Sequence, residues 1–146
     1  MLKSLNIKTN TGNMYKLDVG CGAGRWVKEE SRSKEDFIIG IDKEMYNDWL
    51  GKKRANMAFV IADARHLPFK DKAFDYVCSD SMSPLNADGT CEAANEMLRV
   101  LREGEVYFSM HAFSPEEKRV RLWEKRELRI KELRKSGYLN GAISQV

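Results

Sequence analysis

Three glycines at alternate positions, Gly20, Gly22 and Gly24, directly follow the strand-like segment 15–19, whose apolar residues are Tyr15, Leu17 and Val19. Glycine lets the backbone turn sharply, and it lets a ligand approach main-chain N–H groups with no Cβ in the way. A buried strand, a glycine turn and a following helix together form a nucleotide-binding element of α/β proteins. The stretch 17–26 therefore predicts a site for a nucleotide-like ligand.

Three aspartates, Asp42, Asp63 and Asp80, each lie at the end of a strand-length apolar run. An ionised carboxylate accepts hydrogen bonds from hydroxyl and amino groups. In open parallel sheets, ligands bind at the carboxyl ends of the strands, near the point where the strand order reverses. We therefore expect the three acids and the glycine turn to meet at one rim.

Strand-like and helix-like segments alternate along the chain, and most of the strands are continuous apolar runs typical of a buried parallel sheet. The predicted strands are 15–19, 37–41, 57–62, 74–78 and 106–110, with a last short strand within 138–146. The predicted helices are 24–34, 44–55, 88–102 and 114–135. This alternation predicts an α/β fold with helices on both faces of the sheet.

Length and composition fit a single globular domain over residues 1–146, with 42% hydrophobic and 32% charged residues. No apolar run approaches the roughly 20 residues that span a bilayer, and the N-terminus lacks the apolar core of a signal peptide. We expect a cytoplasmic protein with no membrane contact.

The cysteines are Cys21, Cys78 and Cys91, an odd number without a CxxC pair. This spacing favours reduced thiols over disulfides or a zinc site, so no metal is expected. Cys78 lies in an apolar run and is expected in the core, while Cys21 lies in the glycine turn.

The net charge of +3 comes from one segment near the C-terminus, 116–135, which holds nine Lys or Arg and five Glu. Such a helix could contact phosphates of RNA or an acidic protein. The interspersed glutamates favour a solvated face with internal ion pairs instead. Both interpretations stay open.

The glycine spacing separates two classes of nucleotide. A dinucleotide-binding fingerprint has its third glycine five residues after the first, where this chain has Arg25. The run Asp18-Val-Gly-Cys-Gly-Ala-Gly24 instead closely resembles the S-adenosylmethionine loop of class I methyltransferases. Further segments are similar to that family in order and spacing, so that the resemblance covers about 15–110: 38–43, 61–69, 74–80 and 96–104.

The resemblance implies a three-layer αβα Rossmann-like methyltransferase fold with a mostly parallel sheet that lacks one or more C-terminal strands. It implies S-adenosylmethionine as the cofactor, with Asp42 on the ribose hydroxyls, Asp63 on the adenine amino group and Asp18 on the ammonium side. Lys43 and Ala64 would flank the adenine ring. The full set of implied cofactor-binding residues is Asp18, Gly20, Cys21, Gly22, Gly24, Asp42, Lys43, Asp63, Ala64 and Ser79.

The loop 79–85 after the fourth strand is where we expect the methyl acceptor, with Asp80 as the candidate catalytic residue. A loop acid or helix cap is an equal interpretation of Asp80. The loop lacks the Asn/Asp-Pro-Pro-aromatic motif of nucleic-acid amino methyltransferases, which disfavours that chemistry. His111 is a weaker acid–base candidate, and His66 is expected to pack or face solvent.

We therefore predict an S-adenosylmethionine-dependent methyltransferase, with a small-molecule acceptor slightly favoured over RNA. The alternative of another class is an inactive cofactor-binding module that scaffolds or activates a partner. An NAD-dependent oxidoreductase is disfavoured by the glycine spacing. An incomplete sheet leaves an open edge, which predicts a homodimer or a partner protein there. The acceptor, its reacting atom and the need for a general base are not identified by the sequence.

Overall fold

A computed structural model of the chain describes residues 13–51, 53–79, 82, 91–108, 131–132, 134–137 and 142–145. Its strands are β1 (Tyr15–Val19), β2 (Phe37–Asp42), β3 (Met57–Ile61), β4 (Tyr76–Ser79), β5 (Glu105–Phe108) and β6 (Ala142–Gln145). Its α-helices are α1 (Arg25–Glu30) and α2 (Glu92–Val100), with short 3-10 helices at Ser31–Ser33 and Asn47–Leu50.

The six strands form one sheet in the order β3-β2-β1-β4-β5-β6, and all of the pairings are parallel. From β1 the chain moves to one side through β2 and β3, and β4 then returns to the other side of β1. This reversal opens a crevice at the carboxyl ends of β1 and β4, where doubly wound sheets bind ligands. The predicted parallel sheet is confirmed.

The sheet has helices on both of its faces. Successive residues of a strand point to opposite faces, and they show which helix lies on each. Ile39 and Ile41 belong to the main apolar core together with Met97 of α2. Gly40, between them, points to the opposite face, where an added Cβ would lie 2.8 Å from Val27 Cγ2 of α1. The predicted three-layer αβα arrangement is thus confirmed.

The predicted helix 44–55 is wrong, since only the 3-10 helix at Asn47–Leu50 forms there. The spacing of Met45, Trp49 and Leu50 imitates one apolar helix face. Only Trp49 is buried, whereas Met45 and Leu50 are 56% and 63% exposed. Tyr46 has an extended backbone, so the segment is mostly a loop. The Trp49 ring holds it against β3 by stacking on Phe59.

Other boundaries differ by a few residues. α1 ends at Glu30 and passes into a 3-10 turn, and β4 begins at Tyr76 because Phe74 makes only an isolated bridge to Leu101. β6 lies within the predicted last strand, parallel to β5. Five predictions lie wholly or largely outside the described residues: Asp80, the acceptor loop 79–85, His111, the helix 114–135 and its charged segment 116–135.

In the part of the chain that the structure describes, no helix is long and apolar enough to cross a membrane.

Gly40 provides a test of this packing. A Cβ at this position would lie 2.8 Å from Cys21 Sγ and from Val27 Cγ2, and 3.0 Å from the Phe59 ring. Overpacking of this kind costs about 1–3 kcal/mol, so we expect Gly40→Ala to lower the free energy of unfolding in urea by that amount.

Gly51→Ala is the matched control, because its Cβ would meet only Asp48 O at 3.5 Å. A change within about 0.5 kcal/mol is expected there. Equal stability of Gly40→Ala and the native chain would show that the contact between α1 and the sheet is looser than described.

Candidate functional site

The glycine turn is fixed to the neighbouring strand by its own backbone. The N–H groups of Gly20 and Cys21 both donate to Ile41 O, each at 2.8 Å. The N–H of Gly24 then donates to Cys21 O at 2.9 Å, which closes the turn before α1. The loop after β1 is therefore held at the carboxyl end of β2.

Both backbone polar groups of Gly22 are hydrogen-bonded. Its N–H donates to Asp42 Oδ2 at 2.9 Å, and its carbonyl accepts from Trp49 Nε1 at 2.7 Å. The Trp49 ring stacks on Phe59 of β3, with ring centroids 4.9 Å apart and an interplanar angle of 8°. Asp42 at the end of β2 and Trp49 in the connection between β2 and β3 thus set the position of the loop that follows β1.

The three glycines have different surroundings, although each has a positive φ. A Cβ on Gly24 would lie 2.3 Å from the Phe59 ring, and one on Gly20 would lie 2.6 Å from Met82 Sδ. Nothing lies within 4 Å of the corresponding point at Gly22. Gly24 is therefore required by internal packing, whereas Gly22 faces open space.

A cleft of about 650 Å³ opens beside this turn, within the range of small-molecule and cofactor sites. It lies at the carboxyl ends of the strands, bounded by the loops after β1, β2 and β3. Its lining residues are Gly20, Gly22, Ile41, Asp42, Lys43, Tyr46, Ala62, Asp63, Ala64, Arg65, Met82 and Ala93.

Six of the ten cofactor-binding residues suggested by the sequence line this cleft: Gly20, Gly22, Asp42, Lys43, Asp63 and Ala64. The other four, Asp18, Cys21, Gly24 and Ser79, are not among the lining residues. Asp18 is buried with its Oδ1 4.0 Å from Cys78 Sγ, and Ser79 Oγ accepts from Met82 N at 3.2 Å.

Cys21 does not have the electrostatics of a nucleophile. Burial raises the pKa of its thiol well above the usual range, and the carboxylates of Asp18 and Asp42 add to that shift. The thiolate is the reactive form of cysteine. At neutral pH Cys21 is thus a neutral packing group whose Sγ is directed at Gly40.

Asp63 is paired with a cation two residues further along the chain. Arg65 Nη2 lies 2.7 Å from Asp63 Oδ2, and Arg65 N donates to Asp63 Oδ1 at 2.9 Å. These hydrogen bonds from Arg65 lower the pKa of Asp63 to about 2. Asp63 is thus ionised throughout the physiological pH range.

The loop after β3 is held against α2 by Arg99. Its guanidinium donates to Leu67 O at 3.1 Å and to Phe69 O at 2.9 Å. It also pairs with Glu96, with Nε 2.6 Å from Oε1, while Leu67 N donates to Glu96 Oε2 at 2.8 Å. One Arg–Glu pair on α2 therefore fixes the backbone that follows Asp63.

Four residues of the site were not identified from the sequence: Tyr46, Trp49, Arg65 and Met82. No sequence pattern revealed that the indole of Trp49 donates to Gly22. The pair Asp63 and Arg65 did carry a local signal, because aspartate commonly accepts from the N–H two residues later. Met82 is brought to Gly20 only by the fold. His66 is exposed, as expected.

Within the described ranges, no group of three or more His, Cys, Asp or Glu side chains could hold a metal ion.

The strand order, the glycine turn after β1 and the acid at the end of β2 define a Rossmann-like fold. The sequence profile of the family described as "Methyltransferase domain" matches residues 17–104. The chain belongs to this methyltransferase-domain family.

Curated relatives include methyltransferases of small molecules. The chain is 32% identical over 108 residues to demethylmenaquinone methyltransferase of Staphylococcus aureus, covering 70% of this chain and 44% of the relative. It is 31% identical over 98 residues to sterol 24-C-methyltransferase erg6 of Schizosaccharomyces pombe, covering 62% and 26%. The chain thus spans less than half the length of these two relatives.

Solved structures share the fold. A chain from the complex of the Haloferax volcanii Trm112 methyltransferase activator has a TM-score of 0.62 at 22% identity, over 77% of this chain and 51% of that one. Haemonchus contortus phosphoethanolamine N-methyltransferase 1, solved with phosphoethanolamine and S-adenosylhomocysteine, has a TM-score of 0.55 at 21% identity, over 70% and 23%. The [4+2]-cyclase SpnF has a TM-score of 0.51 at 29% identity, over 65% and 37%.

The bond from Trp49 to Gly22 can be tested by Trp49→Phe, which keeps an aromatic ring against Phe59 and removes the donor. Losing this hydrogen bond to a partly buried carbonyl costs about 1 kcal/mol, so we expect a loss of that size in the free energy of unfolding.

Trp26→Phe is the control, because Trp26 stacks on Tyr76 at 5.9 Å, away from the cleft. If both variants lose the same stability, ring size rather than the indole N–H accounts for the effect.

The Arg99 network predicts a pH-dependent contribution to stability. Hydrogen bonds from Arg99, and then from Leu67 N, lower the pKa of Glu96 below its ordinary 4.5. The ionised, paired Glu96 therefore stabilises the fold fully above pH 4.5, and the stabilisation is lost as the pH falls below that value.

We expect Arg99→Ala to cost about 2 kcal/mol at pH 7 in urea unfolding, and clearly less at the lowest pH where the fold persists. Arg32→Ala removes an exposed pair with Glu29 and should cost about 0.5 kcal/mol or less. A pH-independent loss in Arg99→Ala would contradict the role given to Glu96.

Proposed function

We propose that this chain is an S-adenosylmethionine-dependent methyltransferase whose acceptor is a small molecule. The observation that carries the proposal is the position of Asp42. Its carboxylate holds the glycine turn through Gly22 N and also lines the cleft beside the open side of Gly22. An anchored acid next to exposed glycine backbone suits a ligand with ribose hydroxyls.

The cleft offers acceptors and donors where such a cofactor needs them. Asp42 Oδ2 accepts from Gly22 N, while Oδ1 has only a long contact of 3.4 Å with Glu44 N, so it has capacity for a ribose hydroxyl. We assign the adenine amino group to Asp63 and the two sides of the ring to Lys43 and Ala64. The volume of about 650 Å³ accommodates a ligand of this size.

The four proposed residues that do not line the cleft have a supporting role in this scheme. Asp18 and Ser79 belong to β1 and β4, and Cys21 and Gly24 belong to the glycine turn. Ser79 Oγ accepts from the N–H of Met82, and the Met82 side chain lies next to Gly20. We propose that they shape the cofactor site from behind and do not touch the ligand directly. The family match over 17–104 supports a single cofactor-binding domain.

When bound, S-adenosylmethionine supplies a methyl group on a sulfonium that is already activated. The residues of the chain then need only to align the acceptor with that methyl group and to exclude water. We propose that Asp80 orients the acceptor or its proton, as its place after β4 suggests.

The preference for a small acceptor rests on two observations. The relatives described above carry the names of menaquinone and sterol methyltransferases. Several lining residues are apolar, namely Ile41, Ala62, Met82 and Ala93, which suits a compact organic acceptor more than a polyanion. RNA stays the alternative acceptor.

A second candidate is a cofactor-binding module that needs a partner protein for activity. It is favoured by the likeness in fold to a chain from an activator complex. The required partner could also be a second copy of this chain, bound along an open sheet edge.

Calorimetric titration of the full chain with S-adenosylmethionine, S-adenosylhomocysteine and NAD tests the cofactor. We expect both sulfur ligands to bind and NAD not to bind. Asp42→Ala should weaken binding by at least about tenfold, because it removes the ribose acceptor and releases the glycine turn. Asp48→Ala, an exposed acid in the same loop, should bind as the native chain does.

Failure of both sulfur ligands to bind would overturn the cofactor assignment. Transfer of a labelled methyl group to small metabolites, but not to RNA, would support a small-molecule acceptor. Labelling of RNA instead would select RNA as the acceptor. Binding without transfer, restored by a partner protein, would select the second candidate.

A further inference from the structure

Asp63, whose carboxylate is assigned to the adenine amino group, already accepts several hydrogen bonds from Arg65. Arg65 Nε lies 3.1 Å from both Oδ1 and Oδ2 of Asp63, and Nη2 lies 2.7 Å from Oδ2. Arg65 N adds a fourth contact, to Oδ1 at 2.9 Å. These four contacts come from three N–H groups, because the single Nε–H is shared between the two oxygens. They occupy most of the about four lone-pair sites of the carboxylate, so an amino group entering the cleft competes with them.

The side-chain contacts can be broken without disturbing the fold. The side chains of Arg65 and Asp63 are 53% and 43% exposed, and both residues line the cleft. Exposed ion pairs contribute little to stability. The bond from Arg65 N to Oδ1 is made by the main chain, so Asp63 keeps its orientation when the guanidinium leaves.

We infer that the Arg65 side chain competes with the ligand for Asp63 and thereby sets the affinity of the cleft for adenine-containing ligands. This inference rests on the proposed function. A bound adenine amino group takes the place of the guanidinium on Asp63. The displaced guanidinium remains at the rim of the cleft as a hydrogen-bond donor.

The same geometry makes Arg65 a specificity-determining residue. A purine that carries a carbonyl in place of the amino group has no donor for Asp63, but it can accept from Arg65. With the native Arg65, the two kinds of purine therefore differ less in affinity than they would against Asp63 alone.

The competition responds to salt and not to pH in the neutral range. Asp63 stays ionised because its pKa lies at about 2, so no proton uptake near pH 7 releases it. Screening weakens exposed pairs as ionic strength rises. A higher salt concentration therefore favours the state in which the Arg65 guanidinium has left Asp63.

The test is calorimetric titration of the full chain and of Arg65→Ala with two probes. One is S-adenosylhomocysteine, and the other is its deaminated analogue, in which a ring carbonyl replaces the adenine amino group. We expect Arg65→Ala to bind S-adenosylhomocysteine about two- to fivefold more tightly than the native chain does. The analogue should gain nothing, so selectivity for the amino form rises.

Two controls separate competition from a general effect of charge. Arg65→Lys keeps the charge with fewer donors and should fall between the native chain and Arg65→Ala. Arg32→Ala removes an exposed arginine elsewhere and should change neither affinity. In 1 M NaCl, the gain of Arg65→Ala should largely disappear.

Equal or weaker binding of S-adenosylhomocysteine by Arg65→Ala would overturn the inference, because a residue that only supports Asp63 lowers affinity when it is removed. An equal gain for both probes would also overturn it. If neither the native chain nor Arg65→Ala binds either probe, the cofactor assignment itself fails, and the inference fails with it.

Discussion

The architecture of the cleft depends on the backbone of one residue, Gly22. Its N–H is bound by a carboxylate at the end of β2, and its carbonyl is bound by an indole that rests on β3. The loop after the first strand is thus positioned by its neighbours more than by its own short helix. Because Asp42 makes one of these bonds, the acid that faces the cleft is also the acid that keeps the glycine backbone in reach of a ligand.

On the other side of the cleft, the loop after β3 is also positioned by residues from another element. The loop after β3 has no regular structure of its own between Ala62 and Phe69, so its carbonyl groups need partners from elsewhere. Arg99 on α2 donates to the carbonyls of Leu67 and Phe69, and Glu96 accepts from the N–H of Leu67. A helix that contributes mainly to the apolar core therefore also determines where Asp63 and Arg65 lie.

Sequence patterns were sufficient where one physical signal dominated. The strand-length apolar runs indicated buried parallel strands, and five of the six described strands overlap their predictions closely. The segment 44–55 failed because the spacing of Met45, Trp49 and Leu50 is compatible with a helix. The hydrogen bond from Trp49 to Gly22 spans 27 residues, and no local rule contains it.

The sequence by itself determined the fold class, the rim at which the functional residues meet, and the family to which the chain belongs. Spacing along parallel strands is enough for these, since every strand end after a right-handed crossover returns to the same edge. Only the tertiary structure decided which residues face the cleft. Six of the ten candidates line it, Gly24 accommodates Phe59, and Asp63 is held by Arg65. Such assignments depend on packing between loops that are distant in sequence.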